Sequence, residues 1–569
     1  MRYTVSIAQP QTHYVEVDAT VPADGQSSVD LKMAVWTPYV IREFAKNVEA
    51  VTAQGGLRVE KYAKNRWRIQ TGGAASVTVK YRVYCHEMSV QDNWVDRDFA
   101  LLNGAATFLT LAESASRPHE VRLVLPPGWK TSISGMPAAA GDPHHYRAAD
   151  YEELVDSPIV AGNPALYEFT VQGIPHVLVN VGEGGSWDGP RSARDVARIV
   201  QEYARMWGGL PYSRYVFLNM LTDGHGGMEH SNSTAMMANH TAMGTPGAYL
   251  RWLQLVSHEF FHTWNVKRLK PAEFLRGEYE KEPFTRSLGV SEGFTSYYAP
   301  LAVYRAGLSS EAELLAELSS LIRQLQWTPG RLVQSLSMSS FDTWIKFYRP
   351  DENSVNTSIS YYTKGAVVAF LLDAKIRQST NGAKSLDDVM RAALAVFPLE
   401  KGFTPEQFRE VVEQIAGTPT RRWVAGAFDS TEELNYTEAL KWYGLRFATE
   451  GDDRSKAWLG AEMRMETGRL TVRQIPRGTP AYEAGFDPGD DIVGIGAERI
   501  RPDQWDARLS SFRPGEKIAV SILRRNVPMQ IEVVLGKEPA NRWALEPDPL
   551  SGAAQRRQRD LWLHSRKLE

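Results

Sequence analysis

Residues 255–266 read LVSHEFFHTWNV. His258 and His262 are four positions apart, so on an α-helix their imidazoles lie one turn apart on one face. Two neutral imidazole nitrogens held in that way can reach one Zn²⁺ at about 2.0–2.1 Å. Glu259, beside His258, is placed to take a proton from an attacking water without ligating the metal. Zinc lowers the pKa of a coordinated water towards about 7, which makes that proton removable. Apolar residues surround the motif (Leu253, Leu255, Val256, Phe260, Phe261, Trp264), as a helix buried in an enzyme core requires. A catalytic zinc needs a third protein ligand and an open fourth position. Glu292, in SLGVSEGFTSYYAPLAVY and thirty residues beyond His262, is the best-placed candidate. Ser291 would open a second helix with Glu292 in its first turn, where a carboxylate suits the helix dipole. One Zn²⁺ per chain is expected.

The chain around this motif has 569 residues, enough for roughly three or four domains. Hydrophobic residues make up 43% and charged residues 23%, an ordinary globular balance. Lys+Arg 64 against Asp+Glu 67 leaves a formal charge of −3, which argues against a nucleic-acid or anionic-membrane partner. No run of about 18 apolar residues occurs, so no membrane-spanning helix is expected. The single cysteine, Cys85, excludes an intramolecular disulfide and fits a reducing compartment. The opening MRYTVSIAQPQTHYVEVDATVP alternates like a strand and lacks the apolar core of a signal peptide. A cytoplasmic location is therefore expected, with a periplasmic one as the alternative should a signal peptide have been removed.

Reading outward, residues 1–165 are a succession of short strand patterns such as HYVEVDATV, SVTVKYRVYC and HEVRLVLP, expected to form an all-β, sandwich-like domain. Residues 166–450 begin with strand patterns (ALYEFTV, HVLVNVG, YVFLNML) and end with helical ones. SARDVARIVQEYARMWGG is expected to open at Ser192 with Asp195 in a capping box. SLDDVMRAALAVF has Ser385 and Asp388 as cap and partner. TPEQFREVVEQIAG runs from a Thr404 cap and Pro405 to an exit at Gly417. This is the coarse layout of a thermolysin-like α/β plus helical catalytic domain. A charged joint at about 448–457 leads to a β-rich stretch, 451–540, and then to a mostly polar tail, 541–569, expected as a docking helix or as disorder. The fold class is thus multidomain α+β.

HEFFHTWNVKRLKP together with VSEGFTSYY resembles the glycyl aminopeptidase family, gluzincins related to aminopeptidase N. That resemblance extends over most of the chain, the DYEELVDSP segment at 150–158 included. It implies that Glu292 is the third zinc ligand. An aminopeptidase also needs a fixed anion to hold the free α-ammonium of its substrate. The loop GHGGMEHSNS offers Glu229, preceded by Gly226, Gly227 and Met228, and the glycines permit close backbone approach. Gly-Gly-Met-Glu-His is similar to the GxMEN exopeptidase motif, which implies amine binding by Glu229, although His230 stands where that motif has Asn. A second metal site at His225, Glu229 and His230 is a weaker reading of the same loop. SISYYTKGAVVAF resembles the YEKG segment of aminopeptidase N relatives, whose Tyr stabilises the oxyanion. Alignment on Lys364-Gly365 gives that role to Tyr362, with Tyr361 one register away.

RLTVRQIPRGTPAYEAGFDPGDDIVGIGAERI resembles the PDZ domains of bacterial proteases, with Trp458-Leu459-Gly460-Ala461 in place of the usual carboxylate-binding loop. The resemblance implies peptides with a free N-terminus as substrates, small first residues such as Gly and Ala, and a peptide C-terminus as possible ligand of the PDZ-like domain. Two other readings stay open: a zinc endopeptidase that captures chain ends through its PDZ-like domain, and a non-catalytic PDZ-bearing binding protein. Glu259 argues against the last, since a structural zinc site has no use for a base.

Overall fold

The computed structural model describes every residue except 114–115, 140, 449–455, 539–542 and 565–569, and the side chain of Arg276. Most of the expected joint at 448–457 thus lies outside the described residues.

The N-terminal domain is a β-sandwich. One sheet of seven strands has Arg2–Ser6 between Tyr14–Pro22 and, in parallel, His119–Val124. A second sheet of four strands is centred on Ser28–Lys32 and Arg66–Gln70. Alternation places Val5, Val17 and Val79 of the first sheet and Leu31, Trp67 and Ile69 of the second in one buried core. A third, smaller sheet holds Phe99–Leu102 and Ile159–Gly162. Its Phe99, Leu101 and Val160 pack with Val177, Val179, Leu218 and Met237 of the next domain. The N-terminal domain is therefore seated on the catalytic domain through apolar contact.

The catalytic domain opens with a five-stranded sheet in the order Ala165–Val171, Ile174–Val181, Tyr215–Leu221, Ser233–Ala238, Gly226–Glu229. The last strand is an edge, antiparallel to Ser233–Ala238. Helices Gly189–Trp207 and Pro246–Phe261 cover the other face, with Val196, Val256 and Phe260 packed near Phe217 and Met236. The first of these helices starts earlier than expected. Asp188, not Ser192, is its cap, its carboxylate accepting from the Arg191 amide at 2.9 Å. Pro190 in the first turn lacks an N–H that would need a partner. Ser192 instead donates to the Gly189 carbonyl and accepts from Trp187 Nε1. The other two caps follow the sequence: Ser385 with Asp388, and Thr404 with Gln407 ahead of an exit at Gly417. Helix Tyr361–Ser379 runs through the middle of the helical lobe, buried on nearly every side.

The β-rich domain has its own core, including Leu470, Val472, Ile492, Val520 and Trp505. It is an insertion rather than an appended module. Strand Leu445–Phe447 before it pairs antiparallel with Leu545–Pro547 after it. Of the two expectations for 541–569, a docking helix or disorder, the described residues show the first. Helix Ala553–Leu563 docks on the catalytic lobe, with Trp562 fully buried against Tyr443 (ring centroids 4.7 Å) and its Nε1 donating to Tyr297 Oη at 2.8 Å. Arg305 and Arg377 donate to the carbonyls of Trp562 and Leu561. The sequence left docking and disorder both open because only two residues of this helix, Trp562 and Leu563, are buried. Trp562→Ala is expected to destabilise the catalytic domain by about 3–5 kcal/mol, read from denaturant unfolding of the full-length protein. A loss below about 1 kcal/mol would mean that the helix only rests on the surface. No helix among the described residues is long and apolar enough to cross a membrane.

Candidate metal centre and active site

Helix Pro246–Phe261 is capped by Thr245 and carries His258 in its last turn; His262 follows at the C-cap, still helical in conformation. Glu292 lies in a π-helical turn, Gly289–Phe294, continuous with helix Thr295–Arg305. Ser291 is inside this turn and does not start it, which corrects the expected helix boundary. Such turns recur at functional sites because they re-aim one side chain within a helix. Asn265 joins the two segments: its Nδ2 faces the carbonyls of Val290 and Ser291 and Oγ1 of Thr295 at 2.9–3.1 Å.

The three donors converge. His258 Nε2 and His262 Nε2 are 3.1 Å apart, and Glu292 Oε2 lies 3.4 Å from the first and 3.2 Å from the second. Ligands at about 2.05 Å and tetrahedral angles are about 3.3 Å from one another, so the trio fits one face of a zinc tetrahedron. His262 Nδ1 donates to the Asn265 carbonyl at 2.8 Å, which leaves the Nε2 lone pair for a metal. Glu292 Oε1 accepts from Tyr39 Oη at 2.9 Å, which leaves Oε2 free to ligate. Charge follows the same geometry. Burial lowers the His262 pKa, but the Glu292 carboxylate more than offsets this and lifts it to about 10. Burial raises Glu292, yet the two imidazoles hold it well below the usual carboxylate range. Burial likewise lowers His258. A divalent cation would take the place of the protons that this trio otherwise shares.

Two pairs of close contacts bring the other groups in. A Cβ on Gly227 would overlap the Glu259 carboxylate, so only glycine lets the edge strand lie against that buried side chain. Burial raises the Glu259 pKa well above that of a free carboxylate. Gly293 and Gly365 touch backbone to backbone, and a Cβ on either would clash; their contact sets Glu292 beside helix Tyr361–Ser379. Glu229, Glu259 and His262 have ligand-type atoms within 4.8 Å of one another, so the Glu229 carboxylate stands at the rim of the trio. Gly226 has φ of 139°, a backbone state that other residues avoid. Met228 behaves differently from its neighbours. Alternation turns its side chain to the opposite face, where it is buried with Val90 and Ala235. Any contact it makes with substrate is therefore through its backbone.

His225, Glu229 and His230 do not gather as a ligand group among the described residues. His230 Nδ1 instead meets Asp156 at 3.1 Å. Asp156 also accepts from the Ser231 amide and pairs with Lys267 at 2.7 Å, tying DYEELVDSP to the strand end after Glu229. The two tyrosines separate clearly. Tyr361 is fully buried, its hydroxyl on Thr343. The Tyr362 ring lies 6.1 Å from that of His258, and its hydroxyl is 3.3 Å from Tyr348 Oη. Burial raises the Tyr362 pKa well above 10, so the phenol stays a proton donor.

Sequence reasoning missed Tyr39, Tyr348 and Asp156 as parts of this site. Tyr39 arrives from the N-terminal domain, 253 residues from Glu292, and no local pattern marks it. Tyr348 sits in FDTWIKFYRP, which carries no motif. Asp156 lies in DYEELVDSP, where no local pattern marks it for a role.

Residues 2–163 match the peptidase M61 N-terminal domain and residues 251–368 the M61 glycyl aminopeptidase domain. The chain carries an M61 N-terminal domain and an M61 glycyl aminopeptidase domain. Residues 457–535 match a PDZ domain, the inserted module. Among solved structures, an aminopeptidase N family protein from Idiomarina loihiensis is 28% identical, with 99% of each chain covered and a TM-score of 0.93. An M1 zinc metallopeptidase from Deinococcus radiodurans is 12% identical, covering 76% of this chain and 94% of that one, with a TM-score of 0.49. One curated relative, a probable periplasmic serine endoprotease DegP-like from Hahella chejuensis, is 29% identical over 118 residues, 20% of this chain. The match spans 24% of that relative's length.

Proposed function

We propose that this peptidase is a zinc aminopeptidase that releases single residues from peptide N-termini, with one zinc per chain. The observation that carries the reading is the Glu229 carboxylate, fixed on the edge strand within 4.8 Å of Glu259 and His262. An anion there can hold an α-ammonium so that only the first peptide bond reaches the centre. His258, His262 and Glu292 would hold the metal. Zinc at such a site polarises the scissile carbonyl and acidifies a coordinated water. Glu259 takes the proton of the attacking water and passes it to the departing amine. Tyr362 donates its hydroxyl hydrogen to the oxygen that gains charge. Tyr39 orients Glu292. Tyr39 on Glu292, Tyr348 beside Tyr39 and Tyr362 against Tyr348 line one side of the centre with phenol rings, which supports a preference for small first residues such as Gly and Ala.

A panel of peptides with free and N-acetylated termini tests this. Free peptides are expected to be cleaved at the first bond only, and blocked ones at least about 100-fold more slowly, since a charge-assisted bond worth about 1.5–3 kcal/mol is lost and the Glu229 charge is left unpaired. Glu229→Ala is expected to remove most of that discrimination. Equal cleavage of blocked peptides would instead favour the endopeptidase reading.

A further inference from the structure

Asn356 lies outside every motif above, yet it is 3% exposed and both ends of its amide are held by another domain. Its Nδ2 donates to the Ile475 carbonyl at 3.0 Å, and its Oδ1 accepts from the Arg477 amide at 2.7 Å. Beside it, Gln474 Nε2 donates to the Asp351 carbonyl at 3.3 Å. The three partners belong to the end of strand Arg469–Gln474 and the turn after it, all within the PDZ domain. Asp351 and Asn356 belong to the catalytic domain, on the excursion of chain between Tyr348 and Tyr362.

That excursion is closed at its base by the pair of phenols, whose hydroxyls are 3.3 Å apart. It is stiffened from inside. Asp351 Oδ1 accepts from the Asn353 amide and the Ser354 hydroxyl, and Asn353 Oδ1 accepts from Asn356 Nδ2 at 3.1 Å. On the return side, Gly330 packs so closely on Ser358 that a Cβ would clash. The Ile359 amide donates to Gln334, and Ser360 caps the helix that begins at Tyr361. A chain segment braced in this way passes a displacement at its tip to both ends, because little slack remains to absorb it.

We infer that Asn356 is a positioning residue for the reaction: its grip on the PDZ backbone fixes the tip of residues 349–360 and so sets Tyr362, with Tyr348 against its hydroxyl, beside His258. The inference rests on the reading of Tyr362 as the oxyanion donor. Such a donor must sit close to its productive position, and errors of about 1 Å can cost up to about 100-fold in rate. A residue that merely glued two domains together would affect stability and leave turnover unchanged.

The test uses full-length protein and an aminoacyl chromogenic amide with a free amine, comparing Asn356→Ala, Gln474→Ala, Tyr362→Phe and the Asn356→Ala/Tyr362→Phe double variant. Asn356→Ala is expected to lower kcat about tenfold with KM within about twofold, at unchanged zinc content. Tyr362→Phe is expected to lower kcat about 100-fold, and the double variant no further, because Asn356 acts through a hydroxyl already removed. Losses that multiply in the double variant, or a destabilised Asn356→Ala with parental kcat, would overturn the inference. Parental kcat in Tyr362→Phe would instead reject the oxyanion role itself, a separate and distinguishable failure. Should Asn356→Ala not fold, Gln474→Ala removes a solvent-facing contact to the same loop. Its kcat loss, absent in the Tyr362→Phe background, then decides the matter.

Discussion

Glu259→Gln is expected to lower kcat by about 1,000-fold, within the 100- to 10,000-fold range of general acid–base catalysis, while zinc content and unfolding midpoint stay near the parent's. The substitution is nearly isosteric, which matters here because the Glu259 carboxylate fills the space above Gly227. Glutamine fits that space but cannot accept the water proton or return it to the leaving amine. KM should change little, since the amine anchor and the metal ligands are untouched. Kinetics on an aminoacyl chromogenic amide, with elemental analysis of the same preparation, checks it. Retained turnover at full zinc content would remove Glu259 from the chemistry, whereas a parent protein inactive on every peptide would favour the non-catalytic reading.

The second large effect concerns the metal. Glu292→Ala removes one of the three converging donors and leaves His258 and His262 facing each other at 3.1 Å without their shared carboxylate. Zinc affinity is expected to fall by well over the 10- to 100-fold that loss of an outer partner costs. Tyr39→Phe supplies that smaller reference, because it deletes only the bond to Glu292 Oε1. Both can be read without turnover, by titrating metal-free protein against a competing chelator, or by the rise in unfolding temperature on adding zinc. The expected order is parent, then Tyr39→Phe, then Glu292→Ala. Equal affinity in all three would mean that the metal, if any, is held elsewhere. A measurable effect of Tyr39→Phe would also make the N-terminal domain a working part of the centre.

Much of the centre was legible because it is local. The step from His258 to His262 is fixed by helix geometry alone, and so is the position of Glu259. The caps at Ser385 and Thr404 were likewise readable, since a cap needs only a few consecutive residues. Ser192 shows the limit of such reading: an equally good cap, Asp188, lay four residues upstream, and Pro190 decided between them. For Glu292, Glu229 and Tyr362 the residues were plausible one at a time, and only a resemblance joined them.

What the sequence determined by itself is chemistry of short range: a pair of imidazoles and a carboxylate on one helix end, a β-rich start, a helical second half, and the glycines that allow close approach. Tertiary structure alone decided which distant groups meet. It brought Tyr39 across 253 residues to Glu292, turned Tyr362 rather than Tyr361 towards His258, and closed Leu445–Phe447 on Leu545–Pro547 around the PDZ domain. The physical reason is that periodicity fixes neighbours within an element, whereas contacts between elements depend on which apolar faces bury one another. No spacing along the chain records that choice.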